Sequence, residues 1–144
     1  MIDVPFDTQG VLARTLWAEA RSQGGEGMHA VANVILNRAA QPGWWGRDIR
    51  SVCLAPKQFS CWNENDPQAK VIRAESISDR SYEIASTIAD MAIGGVLPDI
   101  TGGADHYVAE YALDATHWDD RHTATFVCGK PRTRHYFFKL GLAG

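Results

Sequence analysis

Apolar positions recur at helical spacing over the first two thirds of the chain and give way to short aromatic and β-branched runs in the last third. Leu12 and Leu16 begin one stripe, in a helix that Asp7 or Thr8 can cap, that runs to about Arg21 and that Gly24-Gly25 stops. Met28, Val31, Ala32, Ile35 and Leu36 form an i, i+3, i+4, i+7, i+8 stripe for a second helix ending near Ala40, before Pro42-Gly43. Asp66-Pro67 supplies an N-cap and a first-turn proline for a shorter helix through Val71 and Ile72. A fourth begins around Ser78, shows Ala85, Ile88, Ala89, Ala92 and Ile93, and closes at Gly94-Gly95. From Thr101 the period changes. His106-Tyr107-Val108, Thr123 to Cys128 and His135 to Phe138, set apart by Gly and Pro, predict a small antiparallel sheet.

Helices first and a little sheet afterwards make an α+β fold, mainly helical, with its sheet in the C-terminal third. At 144 residues, with no linker, repeat or low-complexity segment, the whole of residues 1–144 reads as one domain. The stretch from Gly43 to Asn65 has no clear period and reads as irregular; it holds Trp44, Trp45, Phe59 and Trp62.

Composition narrows the function little. Hydrophobic content of 45%, charged content of 22% and a net charge of -3 are those of an ordinary globular protein. The charge is uneven, however. Asp99, Asp105, Glu110, Asp114, Asp119 and Asp120 have no basic neighbour among them, while Arg121, Lys130, Arg132, Arg134 and Lys139 follow with no acid. That tail could meet an anionic polymer, or the two runs could be solvated faces that offset each other. No apolar run is long enough to span a membrane, and residues 1–7 have neither a basic start nor an apolar core, so a signal peptide is not expected. Cys53, Cys61 and Cys128 fit a reducing compartment; Cys53 and Cys61 could pair only in an oxidising one. No HExxH, C-x-x-C, Gly-rich phosphate loop, Gly-x-Ser-x-Gly elbow or basic helix appears, so neither a metal or other cofactor nor a nucleic-acid partner is expected.

One residue breaks the helical pattern. Glu19 falls seven residues after Leu12 and three after Leu16, on their face, which turns its carboxylate toward the core or a cleft wall. Partial desolvation there raises the pKa, as a proton donor near neutral pH requires. A buried ion pair with an arginine such as Arg38 explains the placement equally well. Other groups suited to a polar polymer are scattered along the chain. Trp45 and its neighbours offer aromatic faces for sugar rings, Gln58 and Ser60 flank Phe59, and His106-Tyr107 and His135-Tyr136 could line one wall of a cleft.

Taken together, Ala18-Glu19-Ala20-Arg21, Gly27, the run Ala30 to Arg38 that ends Leu36-Asn37-Arg38, and Gln58-Phe59-Ser60 resemble the bacterial cell wall hydrolase family that includes the spore cortex-lytic enzyme SleB. Ala104-Asp105-His106-Tyr107 and His135-Tyr136-Phe137 resemble its later motifs, so the likeness spans Leu12 to Phe138. It implies a lysozyme-like fold acting on peptidoglycan glycan strands, with Glu19 as acid/base. The family usually continues Ala-Glu-Ala-Arg with Gly-Glu, where this chain has Ser22-Gln23, so a second carboxylate is missing at that place.

Glycoside hydrolysis ordinarily needs two carboxylates. A lytic transglycosylase needs one, because the muramic 6-hydroxyl attacks internally to leave a 1,6-anhydro product. The sequence therefore points to a transglycosylase working through Glu19, with Gln58, Ser60, Trp45, His106, Tyr107, His135 and Tyr136 holding the glycan. Muramidase chemistry, a non-catalytic glycan-binding or virion tail domain, and a zinc amidase are the rivals. With no signal peptide expected, the setting is a phage endolysin, a monomer made in the host cytoplasm and acting on the wall after release.

Overall fold

The computed structural model describes residues 3–56, 58–116 and 123–141. His117, Asp119, Asp120, Arg121 and His122 lie outside the described residues. Five α-helices come first: α1 Thr8–Ala20, α2 Gly24–Ala40, α3 Ile49–Leu54, α4 Ala69–Ile72 and α5 Arg80–Ile93. Three strands follow, β1 His106–Ala109, β2 Phe126–Cys128 and β3 His135–Phe138, with 3₁₀ turns at Arg21–Gln23, Ser60–Trp62 and Glu110–Ala115. The strands form one antiparallel sheet in the order β1-β3-β2, with Tyr107 opposite Phe137 and Val127 opposite Tyr136. This is the α+β arrangement expected.

The first helix is the centre of the molecule rather than an amphipathic surface helix. Every residue from Gly10 to Trp17 is buried, including Arg14 and Thr15. α2 and α5 pack on it with Leu12, Leu16, Val31, Ile35, Ala85 and Ala89 in the shared core, to which Phe137 of β3 also belongs. An enclosed helix must satisfy its polar side chains internally. Arg14 does so through the protein's carbonyls: Nε donates to Ile72 O at 3.0 Å, and Nη2 donates to Ala74 O at 2.9 Å and Glu75 O at 3.0 Å. Its guanidinium also lies 3.7 Å from the Phe6 ring centroid.

Three boundaries differ from the sequence pattern, each for a local reason. Gly24-Gly25 does not separate two helices by a loop: Gly24, at φ 73°, turns the chain directly into α2. The stretch read as irregular contains α3, which a capping box starts. The Asp48 carboxylate accepts from Ser51 N at 2.8 Å, and the Ser51 hydroxyl accepts from Asp48 N at 3.1 Å. Asp66-Pro67 opens a turn, in which Asp66 Oδ1 accepts from Gln68 N, and α4 starts only at Ala69.

The central role of Arg14 is testable. Arg14→Met keeps much of the side-chain bulk but strands the carbonyls of residues 72, 74 and 75. We expect a loss of about 3 kcal/mol of stability, read as a fall of roughly 10 °C in Tm by thermal denaturation.

Candidate active site

Glu19 sits in the last turn of α1, where the helix leaves the core and its side chain becomes partly accessible. The Tyr107 hydroxyl, from β1, donates to Glu19 Oε1 at 2.9 Å. Burial pushes the Glu19 carboxyl above the usual carboxylate range, outweighing Tyr107 and Cys61, both of which favour the anion; the Asp66 charge adds to the rise. Among the described residues no cation lies within 4 Å of Glu19, the one ion pair being Asp105 with His106. The Arg38 pairing is thus absent.

Arg38 is occupied elsewhere, and its bonds explain how Tyr107 reaches Glu19. One face of α2 carries Asn33, Asn37 and Arg38, and all three hold the loop before β1. Asn33 donates to Pro98 O at 3.0 Å and accepts from Ile100 N at 3.0 Å. Asn37 Nδ2 donates to Ala104 O at 2.8 Å, and Arg38 Nε to Asp105 O at 2.8 Å. The Leu36-Asn37-Arg38 motif thereby sets the start of β1. Tyr107 is then held by its stack on Phe137, at 5.5 Å between centroids and 25° between planes.

Gln58 and Ser60 sit beside this centre. Gln58 Oε1 accepts from Arg38 Nη1 at 3.4 Å. Ser60 is exposed and opens the turn that carries Cys61, whose thiol and backbone face Glu19. From sequence Cys61 is only a thiol that could pair with Cys53, and nothing in its irregular stretch places it in the site. Its thiol, like that of Cys53, which is raised to about 12, is pushed up by burial, and all three cysteines are free.

Two of the expected glycan contacts need correcting. Trp45 is 0% exposed, and its Nε1 donates to Arg38 O at 3.1 Å and Gln41 O at 3.0 Å, satisfying carbonyls at the C-terminal end of α2. A ring so enclosed offers no face to a sugar. Trp44 does, at 57% exposure. The two rings still touch, 5.2 Å between centroids, across a tight turn bridged between Gly43 and Gly46, and Gly46 is required there because a Cβ would meet Val52 N at 2.7 Å. Trp62 is buried too, with Nε1 donating to Thr15 Oγ1 at 2.9 Å. The second correction is Tyr136. Side chains alternate along a strand, so Tyr136 packs with Leu113 and Phe138 on the far side of the sheet from Tyr107 and Phe137.

His135 does share the Tyr107 face, 5.5 Å between ring centroids; burial lowers its pKa, and its buried Nδ1 has no hydrogen-bond partner among the described residues. His106 points away from Glu19 toward the aromatic turn. Its Nδ1 bonds Asp105 Oδ1 at 2.7 Å, and its ring lies 6.5 Å from Trp44.

The remaining carboxylates separate by task. Asp48 caps α3. Burial pushes Asp105 up, but His106 and the N–H groups of Leu140 and Gly141 outweigh it and hold the group low. Asp66 is the carboxylate whose charge reaches Glu19. Position 23 faces the β2–β3 turn: Gln23 Nε2 donates to Thr133 O at 2.9 Å, and its side chain fills space that a Cβ at Gly27 or Gly129 would invade. Among the described residues no cluster of three His, Cys, Asp or Glu could hold a metal, and no helix is long and apolar enough to cross a membrane.

Against known proteins, the family model described as Cell Wall Hydrolase matches residues 22–138. Among solved structures, the chain is similar to the catalytic domain of the germination-specific lytic transglycosylase SleB from Bacillus anthracis. The two are 23% identical at a TM-score of 0.61, over 96% of this chain and 100% of that one, a likeness of fold. No curated protein matches the sequence.

The two tryptophans should separate cleanly in mutants. Trp45→Ala loses about 3–5 kcal/mol of stability. Trp44→Ala leaves Tm nearly unchanged and weakens binding to glycan strands roughly two- to tenfold, the worth of one aromatic contact. Tyr107→Phe removes a bond that favours the Glu19 anion. The carboxyl pKa then rises further, and the alkaline limb of a pH–rate profile moves to higher pH.

Proposed function

The chain belongs to the cell wall hydrolase family, and from that premise we propose that it cuts the bond between N-acetylmuramic acid and N-acetylglucosamine as a lytic transglycosylase, with Glu19 as its single acid/base. The observation that carries this reading is the state of Glu19: desolvated, unpaired with any cation among the described residues, and oriented by a neutral hydroxyl. Such a carboxyl keeps its proton at a higher pH than an exposed one and can give it to the leaving glycosidic oxygen. The resulting carboxylate then accepts the proton of the muramic 6-hydroxyl as that oxygen closes on the anomeric carbon. Glu19 ends protonated, ready for the next bond, and no water is consumed. Tyr107, by holding Oε1, fixes the orientation of the carboxyl through both steps.

A muramidase is the rival with an observation behind it, because the Asp66 charge is felt at Glu19. In that chemistry Asp66 is the second carboxylate, activating water or attacking the sugar. Under the transglycosylase reading the protein serves as the lytic enzyme of a phage, acting as a monomer on the host wall, and clearing of permeabilised cells by added protein is the assay for that setting. A domain that binds glycan without cutting it leaves such a suspension turbid.

Mass spectrometry of peptidoglycan digests separates the two chemistries. Anhydro-muramic ends are expected; reducing muramic ends would sink the proposal in favour of hydrolysis. Asp66→Asn should leave turnover within a few-fold, whereas loss of an essential base or nucleophile costs roughly 10²–10⁴-fold. Glu19→Gln should lose about 10³-fold or more in rate yet unfold at a higher temperature at pH 7. The sign follows from linkage: a carboxyl whose pKa is raised on folding favours the fold below its unfolded value near 4.5, and that contribution is lost as pH rises through the folded value. At pH 7, above the unfolded value, the wild-type protein has lost stability that the glutamine, which does not titrate, retains.

A further inference from the structure

We propose that the concavity beside the acid, walled by Pro56, Trp62, Asn63, Glu64, Asn65 and Arg73, receives the stem peptide attached to the muramic acid whose bond is cut. The inference rests on the peptidoglycan reading above and adds a second component to the substrate.

Position is the first argument. The 3₁₀ turn Ser60–Trp62 sets Cys61 against Glu19, and the next residue, Trp62, is already part of the concavity wall. The peptide in peptidoglycan hangs from the lactyl group of the same sugar ring whose anomeric carbon reacts. A site for it must therefore begin close to the acid, and the wall residues Trp62 to Asn65 run between Cys61 and Asp66, both of which act on Glu19. Its volume of about 630 Å³ is of the size that takes a small peptide.

Chemistry is the second. Glycan strands stripped of peptide offer hydroxyls, N-acetyl groups and the lactyl carboxylate, but no cation. The wall here carries both signs of charge, Arg73 together with Glu64 and Asp3, and the amides of Asn63 and Asn65. Arg73 is anchored, since Nη2 donates to Trp62 O at 2.7 Å and the guanidinium lies 5.9 Å from the Trp62 ring centroid. It is not neutralised: no carboxylate among the described residues comes within 4 Å of it. A guanidinium has five N–H donors in a fixed fork, suited to a carboxylate. Stem peptides present free carboxylates, small apolar side chains for Pro56, and, where a diamino acid is not cross-linked, a free ammonium for Glu64 and Asp3.

The test compares glycan strands that carry uncross-linked stem peptides with the same strands stripped by an amidase, and reads the ratio of kcat/KM on the two. The wild-type protein should favour the peptide-bearing strands by about tenfold, the worth of one charge-assisted hydrogen bond. Arg73→Gln should bring the ratio toward one. Glu64→Lys, at an exposed position where folding is not at stake, should lower it for stems with a free ammonium. A wild-type ratio of one overturns the proposal, as does a proportional fall on both substrates in the two variants. Absence of cleavage on either substrate instead overturns the glycan-cutting reading, and this site with it.

Discussion

A helix with no face to water dictates much of the design. Because α1 is enclosed from Gly10 to Trp17, each polar side chain it carries must find its partner in another element, and each partner becomes fastened to the helix. Arg14 fixes the segment from Ile72 to Glu75. Thr15 accepts from Trp62 and so places the 3₁₀ turn that bears Cys61. Trp17 Nε1 donates to Asp79 Oδ2 at 2.7 Å, which ties down the residue capping α5. Glu19 accepts from Tyr107 and brings in the sheet. The candidate acid is therefore the last in a series of polar contacts rather than a separate addition to the fold.

That enclosure also explains what could be read from sequence and what could not. The stripe on α2 was legible because its apolar residues recur at helical spacing, and even its polar residues proved informative, since Asn33, Asn37 and Arg38 are its grip on the loop before β1. For Glu19 the inference of partial burial agrees with the structure, but the face argument behind it was weaker than it looked. A helix buried all round has no wrong face, and what sets Glu19 apart is that it lies where the helix emerges. The capping box of α3 was present in Asp48 and Ser51, yet six residues leave too little periodicity to register. Trp44 and Trp45 are identical in kind and adjacent; only the turn at Gly43–Gly46 and the carbonyls of Arg38 and Gln41 decide which is enclosed. Tyr136 was assigned to the site by its motif, and the alternation of a strand placed it on the opposite side.

The choice of partner for Glu19 matters more than its burial. Burial alone raises a carboxyl pKa, and an arginine within reach would reverse the effect by holding the group as an anion. A cationic side chain does belong to this neighbourhood. Arg38 interacts electrostatically with Tyr107, and its guanidinium stands over the rings of Trp45 and Phe59 at 5.3 and 5.9 Å. Two of its N–H groups donate to Asp105 O and Gln58 Oε1, and burial lowers its own pKa, an effect that the Asp105 charge offsets only in part. Tyr107 stands between, a neutral donor that orients the carboxyl, and burial with the adjacent Glu19 raises the phenol pKa so that it keeps its own proton. The hydroxyl can bond the acid in either protonation state, donating to the anion or to the carbonyl oxygen of the neutral form. An arginine would favour one state strongly; the tyrosine permits both. For a group that must release a proton and then recover one, that tolerance is the property the surrounding wiring preserves, and it depends on α2 keeping Arg38 occupied elsewhere.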